Sequence, residues 1–223
     1  MKKISLVICA AVVAGFSVAS RAAVVFKPQV EYWLATDAYQ KLRADYAGKA
    51  GSPGYDESAK VSGGYGARFG AFLPSSVENL QFGGSLGYIV GPEGKFHQGG
   101  TTWYDDYTCK SRFVRALLEA HATLPVSGAH KIGFNAGVGI AQGRLKKEEK
   151  FDFGLGARSE TNGQTFNGLT YEGGVSYIHA GEKLGLEVGI LFAGFPRMGT
   201  NSDRNFWETF DWNPLGLRLA VTF

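Results

Sequence analysis

The sequence predicts an all-β protein, specifically an eight-stranded antiparallel up-and-down transmembrane β-barrel. Three observations predict it. Apolar and polar residues alternate strictly through eight long segments. The connections between those segments alternate short and long. The last segment, Leu215 to Phe223, keeps its alternation to the final aromatic residue. Side chains of a strand point to opposite faces with period two, so each segment carries one greasy face and one small or polar face.

Before the first segment lies a targeting sequence. Lys2 and Lys3 form a positive start, Ile4 to Val18 is an almost unbroken apolar run, and Ala19, Ser20, Ala22 and Ala23 supply small residues. This is the pattern of a secretory signal peptide over residues 1–22, leaving 23–223 as the barrel. Cleavage after Ala22 and cleavage after Ala19 both satisfy the small-residue rule. The run is short for a spanning helix, which needs about 20 residues.

The first strand is expected over Val25–Ala35, with Val30, Tyr32 and Leu34 on one face and Gln29, Glu31 and Trp33 on the other. The second covers Lys60–Leu73, setting Val61, Tyr65, Ala67, Phe69, Ala71 and Leu73 against Gly64, Gly66, Arg68 and Gly70. The third, Leu80–Val90, sets Leu80, Phe82, Leu86, Tyr88 and Val90 against Gln81, Gly83, Ser85 and Gly87. The fourth, Arg112–Leu124, has Val114, Ala116, Leu118, Ala120, Ala122 and Leu124 opposite Arg115, Glu119, His121 and Thr123. The fifth, Lys131–Gln142, alternates Ile132, Phe134, Ala136, Val138 and Ile140 with Asn135 and glycines. The sixth, Leu169–His179, carries Tyr171, Val175 and Tyr177 against Glu172, Gly174 and Ser176. The seventh, Leu184–Ala193, carries Leu184, Leu186, Val188, Ile190 and Phe192 against Gly185, Glu187 and Gly189. The eighth is Leu215–Phe223. Globular strands usually run about 5–6 residues. These segments instead suit a tilted bilayer crossing of about 9–11.

Short connections are Pro74–Asn79, Pro125–His130 and Ala180–Lys183. Long ones are Thr36–Ala59, Gly91–Ser111, Gly143–Gly168 and Gly194–Asn213. Membrane barrels place short turns on the periplasmic side and long loops outside. Tyr32, Tyr65, Tyr88, Tyr171 and Phe192 are expected at the outer rim, and Phe82, Phe134, Tyr177 and Phe223 near the periplasmic one. The segment Lys146-Lys147-Glu148-Glu149-Lys150 is expected to extend the fifth and sixth strands as a polar hairpin, within reach of lipopolysaccharide phosphates through its three lysines.

Composition fits this reading. Of 23 Lys and Arg, three (Lys2, Lys3, Arg21) lie in the first 22 residues, which hold no acid, so the remainder has 20 cations against 20 acids. The +3 charge therefore belongs to the signal segment and gives no reason to expect nucleic acid. Glycine, 32 of 223, is about twice its usual ~7% share. It sits inside the strands, where a narrow curved barrel needs small residues. Cys9 leaves with the signal and Cys109 stands alone, so neither a disulfide nor a cysteine metal site is expected in the mature chain; Cys109 is placed in a loop without a role.

The inward parity collects Glu31, Arg68, Arg115, Glu119, Glu172, Glu187 and Arg218, with His121 nearby. Lone charges in a narrow lumen are costly, so opposite signs are expected to pair across neighbouring strands. Eight strands enclose an interior just wide enough for side chains. This argues for a structural plug over a pore.

The signal segment, eight alternating strands, four long loops and terminal Phe223 resemble the small eight-stranded outer-membrane barrels: the OmpA transmembrane domain, the OmpX type and the opacity-type adhesins. The resemblance spans the mature chain and is architectural. It implies a C-terminal assembly signal at Leu217, Leu219, Val221 and Phe223, read by the barrel assembly machinery; Val221 stands where the family usually has an aromatic. It further implies a monomer in the bacterial outer membrane, in contact with lipid and lipopolysaccharide. The role it implies is structural or adhesin-like surface interaction with an extracellular ligand, carried by long loops. Trp103, Tyr104, Tyr107, Trp207 and Trp212 are the aromatics first in line for such contacts. A narrow ion or solute pore is the alternative. A lipid A-modifying enzyme is a further one, with His97, His121 and His179 as its candidates. Tyr177-Ile178-His179-Ala180-Gly181 is faintly similar to the histidine region of lipid A deacylases, but that family follows its histidine with Ser and Asn. No catalytic residue, cofactor or metal is assigned, and Asp105-Asp106 is read as a solvated acidic pair on the second loop.

Overall fold

The computed structural model describes residues 23–35, 56–182, 184–195 and 212–223. The signal segment, Trp207 and most of the first and last long connections lie outside these residues. Among the described residues the chain forms nine strands: β1 (Val25–Trp33), β2 (Asp56–Val61), β3 (Gly64–Pro74), β4 (Leu80–Gly99), β5 (Tyr104–Ser127), β6 (His130–Asp152), β7 (Arg158–Ala180), β8 (Gly185–Gly194) and β9 (Leu215–Thr222). Every pairing is antiparallel. The order β4-β3-β1-β9-β8-β7-β6-β5 closes on itself through β4–β5, giving a ring of eight. Closure leaves the ring without an open edge.

β2 does not add a ninth stave. It pairs with the outer half of β4, Asp56 opposite Gly99 and Val61 opposite Gly94, while β3 pairs with the inner half. The predicted second strand is thus one stave interrupted at Ser62-Gly63. The cause lies across the ladder: Pro92 has no N–H to donate, and the β4–β5 register shifts between Val90 and Glu93. Ser62 N–H bridges the break by donating to the Glu93 carbonyl at 2.9 Å.

The short ends agree with the predicted turns. Gly128, at φ 53°, turns β5 into β6, and Asn79, at φ 62°, precedes β4. The other end differs. Two of the predicted long loops are mostly strand: β4 and β5 run on to a turn at 100–103, and β6 and β7 to one at 153–157. The predicted polar hairpin over 146–150 is part of this extension. It ends where Asp152 Oδ1 accepts from Gly154 and Gly156 N–H at 2.8 and 3.2 Å. Polar residues do not prevent strand pairing above a membrane; they only end the alternation that announces it.

Outward faces carry an apolar belt. Val30, Phe69, Leu86, Leu118, Val138, Val175, Val188 and Leu217 are each at least half exposed. Tyr32, Tyr65, Tyr88, Tyr171 and Phe192 lie outward toward one end of the belt, and Phe82, Phe134, Tyr177 and Phe223 toward the other. A continuous apolar girdle around a closed sheet is the surface a bilayer core covers, far larger than the apolar patches water tolerates. No helix among the described residues is long and apolar enough to cross a membrane.

Candidate functional site

Alternation sends the seven predicted charges inward, and the structure places all of them in the lumen, buried. The predicted set omits an eighth, Lys27. It shares the parity of Gln29 and Glu31, and the same alternation sends it inward. With it, four carboxylates face four cations.

The network has two centres. Around Glu172, Arg68 donates from both terminal nitrogens at 2.9 and 2.8 Å. Arg115 lies at 2.9 Å and Asn135 Nδ2 donates at 3.1 Å. Glu31 joins the same arginines, at 3.0 Å from Arg68 Nε and 2.7 Å from Arg115 Nη2. Around Glu187, Lys27 donates at 2.6 Å and Arg218 at 2.5 Å. Arg218 spans the centres, reaching Asn135 Oδ1 at 3.0 Å. Glu119 accepts from Ser85 Oγ and contacts His121 Nε2 at 2.9 Å, while His121 Nδ1 faces Lys27 Nζ at 3.2 Å. With Arg68 Nη1 3.7 Å from Glu119, each of these eight lumen charges has an opposite partner, the condition under which burial of ions is tolerated.

Outward of this layer the lumen is filled by rings. Phe195 stacks on Trp212 at 4.6 Å between centroids and lies 4.8 Å from Phe113. Trp33 packs edge-on against both Phe195 and Trp212. Arg115 sits beneath, 5.2 Å from the Trp33 ring. Trp33 fits because its two strand partners are Gly64 and Gly216; a Cβ on Gly216 would come within 2.5 Å of the indole. Trp212, expected at the surface, is buried in this plug and donates to the Leu34 carbonyl at 3.1 Å. Inward parity marked Trp33, which shares a face with Glu31; Phe113, not singled out from the sequence, shares the face of Arg115. Nothing in the sequence marked Trp212, which precedes its strand.

The external extension separates other neighbours by the same rule. The pair Asp105-Asp106 lies in β5, not on a loop. Asp105 turns inward and is buried, accepting from Tyr107, and burial raises its pKa. Asp106 turns outward to His97 at 2.5 Å. Cys109 is also in β5 and fully buried, contrary to its expected loop, because its odd parity faces the interior; burial pushes its thiol up to about 12. Lys147 likewise faces inward, 4.0 Å over the Tyr107 ring and paired with Glu149 at 2.7 Å. It is thus separated from Lys146 and Lys150. Trp103 lies in the turn and stacks on Phe153, and Tyr104 opens β5. His179 lies at the far end of the barrel, its ring 5.1 Å from that of His130. At the closing strand, Leu217 and Leu219 face outward, Val221 has the same parity, and Phe223 exchanges backbone bonds with Phe26.

No protein-family model and no curated protein matches the chain. Among solved structures it is similar to Neisserial surface protein A, with 14% identity, 90% of this chain and 97% of the other covered, and a TM-score of 0.39. It is also similar to Ail, the attachment invasion locus protein of Yersinia pestis, with 8% identity, coverage of 91% and 98%, and a TM-score of 0.38. The N-terminal β-barrel domain of Pseudomonas aeruginosa OprF follows, with 11% identity, coverage of 88% and 96%, and a TM-score of 0.32. These likenesses concern barrel architecture alone.

Proposed function

We propose that this chain is an integral protein of the bacterial outer membrane whose role is structural and surface-interactive, carried by its external extension and not by transport through the lumen. One observation carries the reading: eight buried charges of opposite sign are gathered in the lumen and capped by the Trp33–Phe113–Phe195–Trp212 cluster. Conduction needs a water-lined path, which side chains packed across an eight-stranded lumen oppose. Meanwhile β4 to β7 rise well beyond the apolar belt. This displays a polar sheet on a rigid base, an arrangement suited to recognition. The lipid A-modifying alternative is the weaker reading. A serine nucleophile needs a base within hydrogen-bond reach, whereas His121 is engaged by Glu119 and Lys27, and Ser85 by Glu119.

Fractionation tests the placement. The protein is expected in the outer membrane, migrating differently on gels before and after boiling. A soluble periplasmic protein without a shift would overturn the reading. Planar-bilayer recordings test the role: silence is expected, and discrete conductance altered by Arg115→Ala or Glu119→Ala would establish the pore instead.

A further inference from the structure

The outward face of the extension holds cations in an arrangement a sheet ordinarily avoids. Directly opposite residues of neighbouring strands have Cβ atoms about 4.5–5.5 Å apart, and like charges there repel. Here Arg112 faces Arg144, Lys110 faces Lys146, and Lys60 faces Lys95. Each pair lies on the outer surface, since alternation has sent Cys109, Tyr107 and Lys147 inward. Lys95, Lys110 and Lys146 have side chains 65%, 42% and 46% exposed. Glu148 is a single acid shared by Lys146 at 2.7 Å and Lys110 at 3.5 Å, and Glu93 meets Lys95 at 3.2 Å. The side chains of Lys60, Arg112, Arg144 and Lys150 have no hydrogen-bond or ion-pair partner among the described residues.

Position says what kind of anion this face would meet. Along β5, Arg112 is the next outward residue after the lipid-facing Val114. Along β6, Arg144 follows Ile140 and Gln142. The row Val90–Arg112–Arg144–Thr165 is the one immediately beyond Tyr88–Val114–Gln142–Asn167. The cations therefore begin where the apolar belt stops, at the level of lipid headgroups. Above them a half-open crevice of about 460 Å³, lined in part by Lys60, Lys95, His97, Asp106 and Lys150, continues the same face. We infer that this face is a binding site for a phosphorylated lipid headgroup of the outer leaflet, with Arg112 and Arg144 gripping one phosphate between them and Lys110 and Lys146 supporting it. A phosphate set between two guanidiniums accepts charge-assisted, bidentate hydrogen bonds and converts a repulsive pair into an attractive one. The inference rests on the membrane placement proposed above.

The test uses the full barrel purified from membranes and reconstituted in phosphatidylcholine nanodiscs doped with diphosphorylated lipid A or with its dephosphorylated form. Native mass spectrometry counts the lipid A retained per barrel, and gel mobility before and after boiling reports the fold. Wild type is expected to retain the diphosphorylated form selectively. Arg112→Gln/Arg144→Gln/Lys146→Gln is expected to weaken retention about a hundredfold, taking three surface cations at their usual worth toward anionic lipid. Lys131→Gln, at the opposite turn, should change nothing. Equal retention of both lipid forms by wild type overturns the proposal without any variant. Retention unchanged in the triple variant overturns it too. Inorganic phosphate that displaces lipid A completely and binds equally well in undoped nanodiscs would make this a free-anion site and overturn the lipid assignment. A wild-type protein that shows no boiling shift instead overturns the barrel reading itself.

Discussion

The same residue types do opposite things in two parts of this molecule. In the lumen, eight charges are buried and each meets an opposite sign, seven within a hydrogen-bond length and Glu119 at 3.7 Å from Arg68. On the outer face of the extension, cations stand exposed and opposite one another. Burial explains the first arrangement: an unpaired ion in a narrow dry interior costs several kcal/mol, so pairing is enforced. Water explains why the second is permitted, since exposed charges are screened within about 8–10 Å. Permission is not a cause, however, and repeated opposition of like charges suggests that the lumen charges serve folding while the surface charges serve binding.

That contrast is broken most forcefully at Glu172. It gathers Arg68, Arg115 and Asn135, with Arg218 at 3.7 Å. Glu172→Gln keeps the shape and removes the charge, leaving three arginines with too little compensation. The expected loss is about 3–5 kcal/mol of stability, the usual cost of breaking a buried pair. It would be read as a lower urea midpoint for the gel-mobility transition. A midpoint like that of wild type would mean that water reaches the network and that the lumen is not dry.

A smaller loss is expected at Lys27. Its partner Glu187 keeps Arg218 at 2.5 Å, so Lys27→Met strands no carboxylate, and the methionine stem still packs near the Phe72 ring. The expected cost is about 1.5–3 kcal/mol, one charge-assisted hydrogen bond, in the same urea assay. A loss as large as that of Glu172→Gln would show that the two centres act as one unit.

Much of this architecture was legible because one face of each strand meets lipid. Val30, Tyr32 and Leu34 against Glu31 and Trp33 announce both the strand and the direction of its charges. Legibility fails where the lipid ends. From Arg112 back to Tyr104, both faces of β5 are polar or mixed, so the period-two signal fades although the ladder continues. That is why Asp105 and Cys109 read as loop residues, why Lys147 was grouped with the surface lysines 146 and 150, and why the like-charge pairs stayed hidden: facing residues are a matter of register, and register needs both strands. Trp212 was opaque for a different reason. It enters the lumen from a connection, and no alternation governs a residue outside a strand.

The smallest effect carries the sharpest sign. In detergent free of phosphate-bearing lipid, Arg144 has only Arg112 and Thr165 as its cross-strand neighbours. Arg144→Glu turns that repulsive pair into an attractive one and places a carboxylate two residues from Lys146. Stability in the urea gel-mobility assay should therefore rise, by about 0.2–1 kcal/mol, the range for exposed cross-strand pairs. Charge changes in the lumen lower stability; this one raises it. The gain should shrink with added salt, because the attraction is exposed. Addition of diphosphorylated lipid A should reverse the order, stabilising wild type through the bound phosphate and leaving the Arg144→Glu protein behind. A variant that is less stable than wild type in detergent alone would show that Arg144 already has a stabilising partner within the chain, and the difference between the two charge regions would then be one of exposure only.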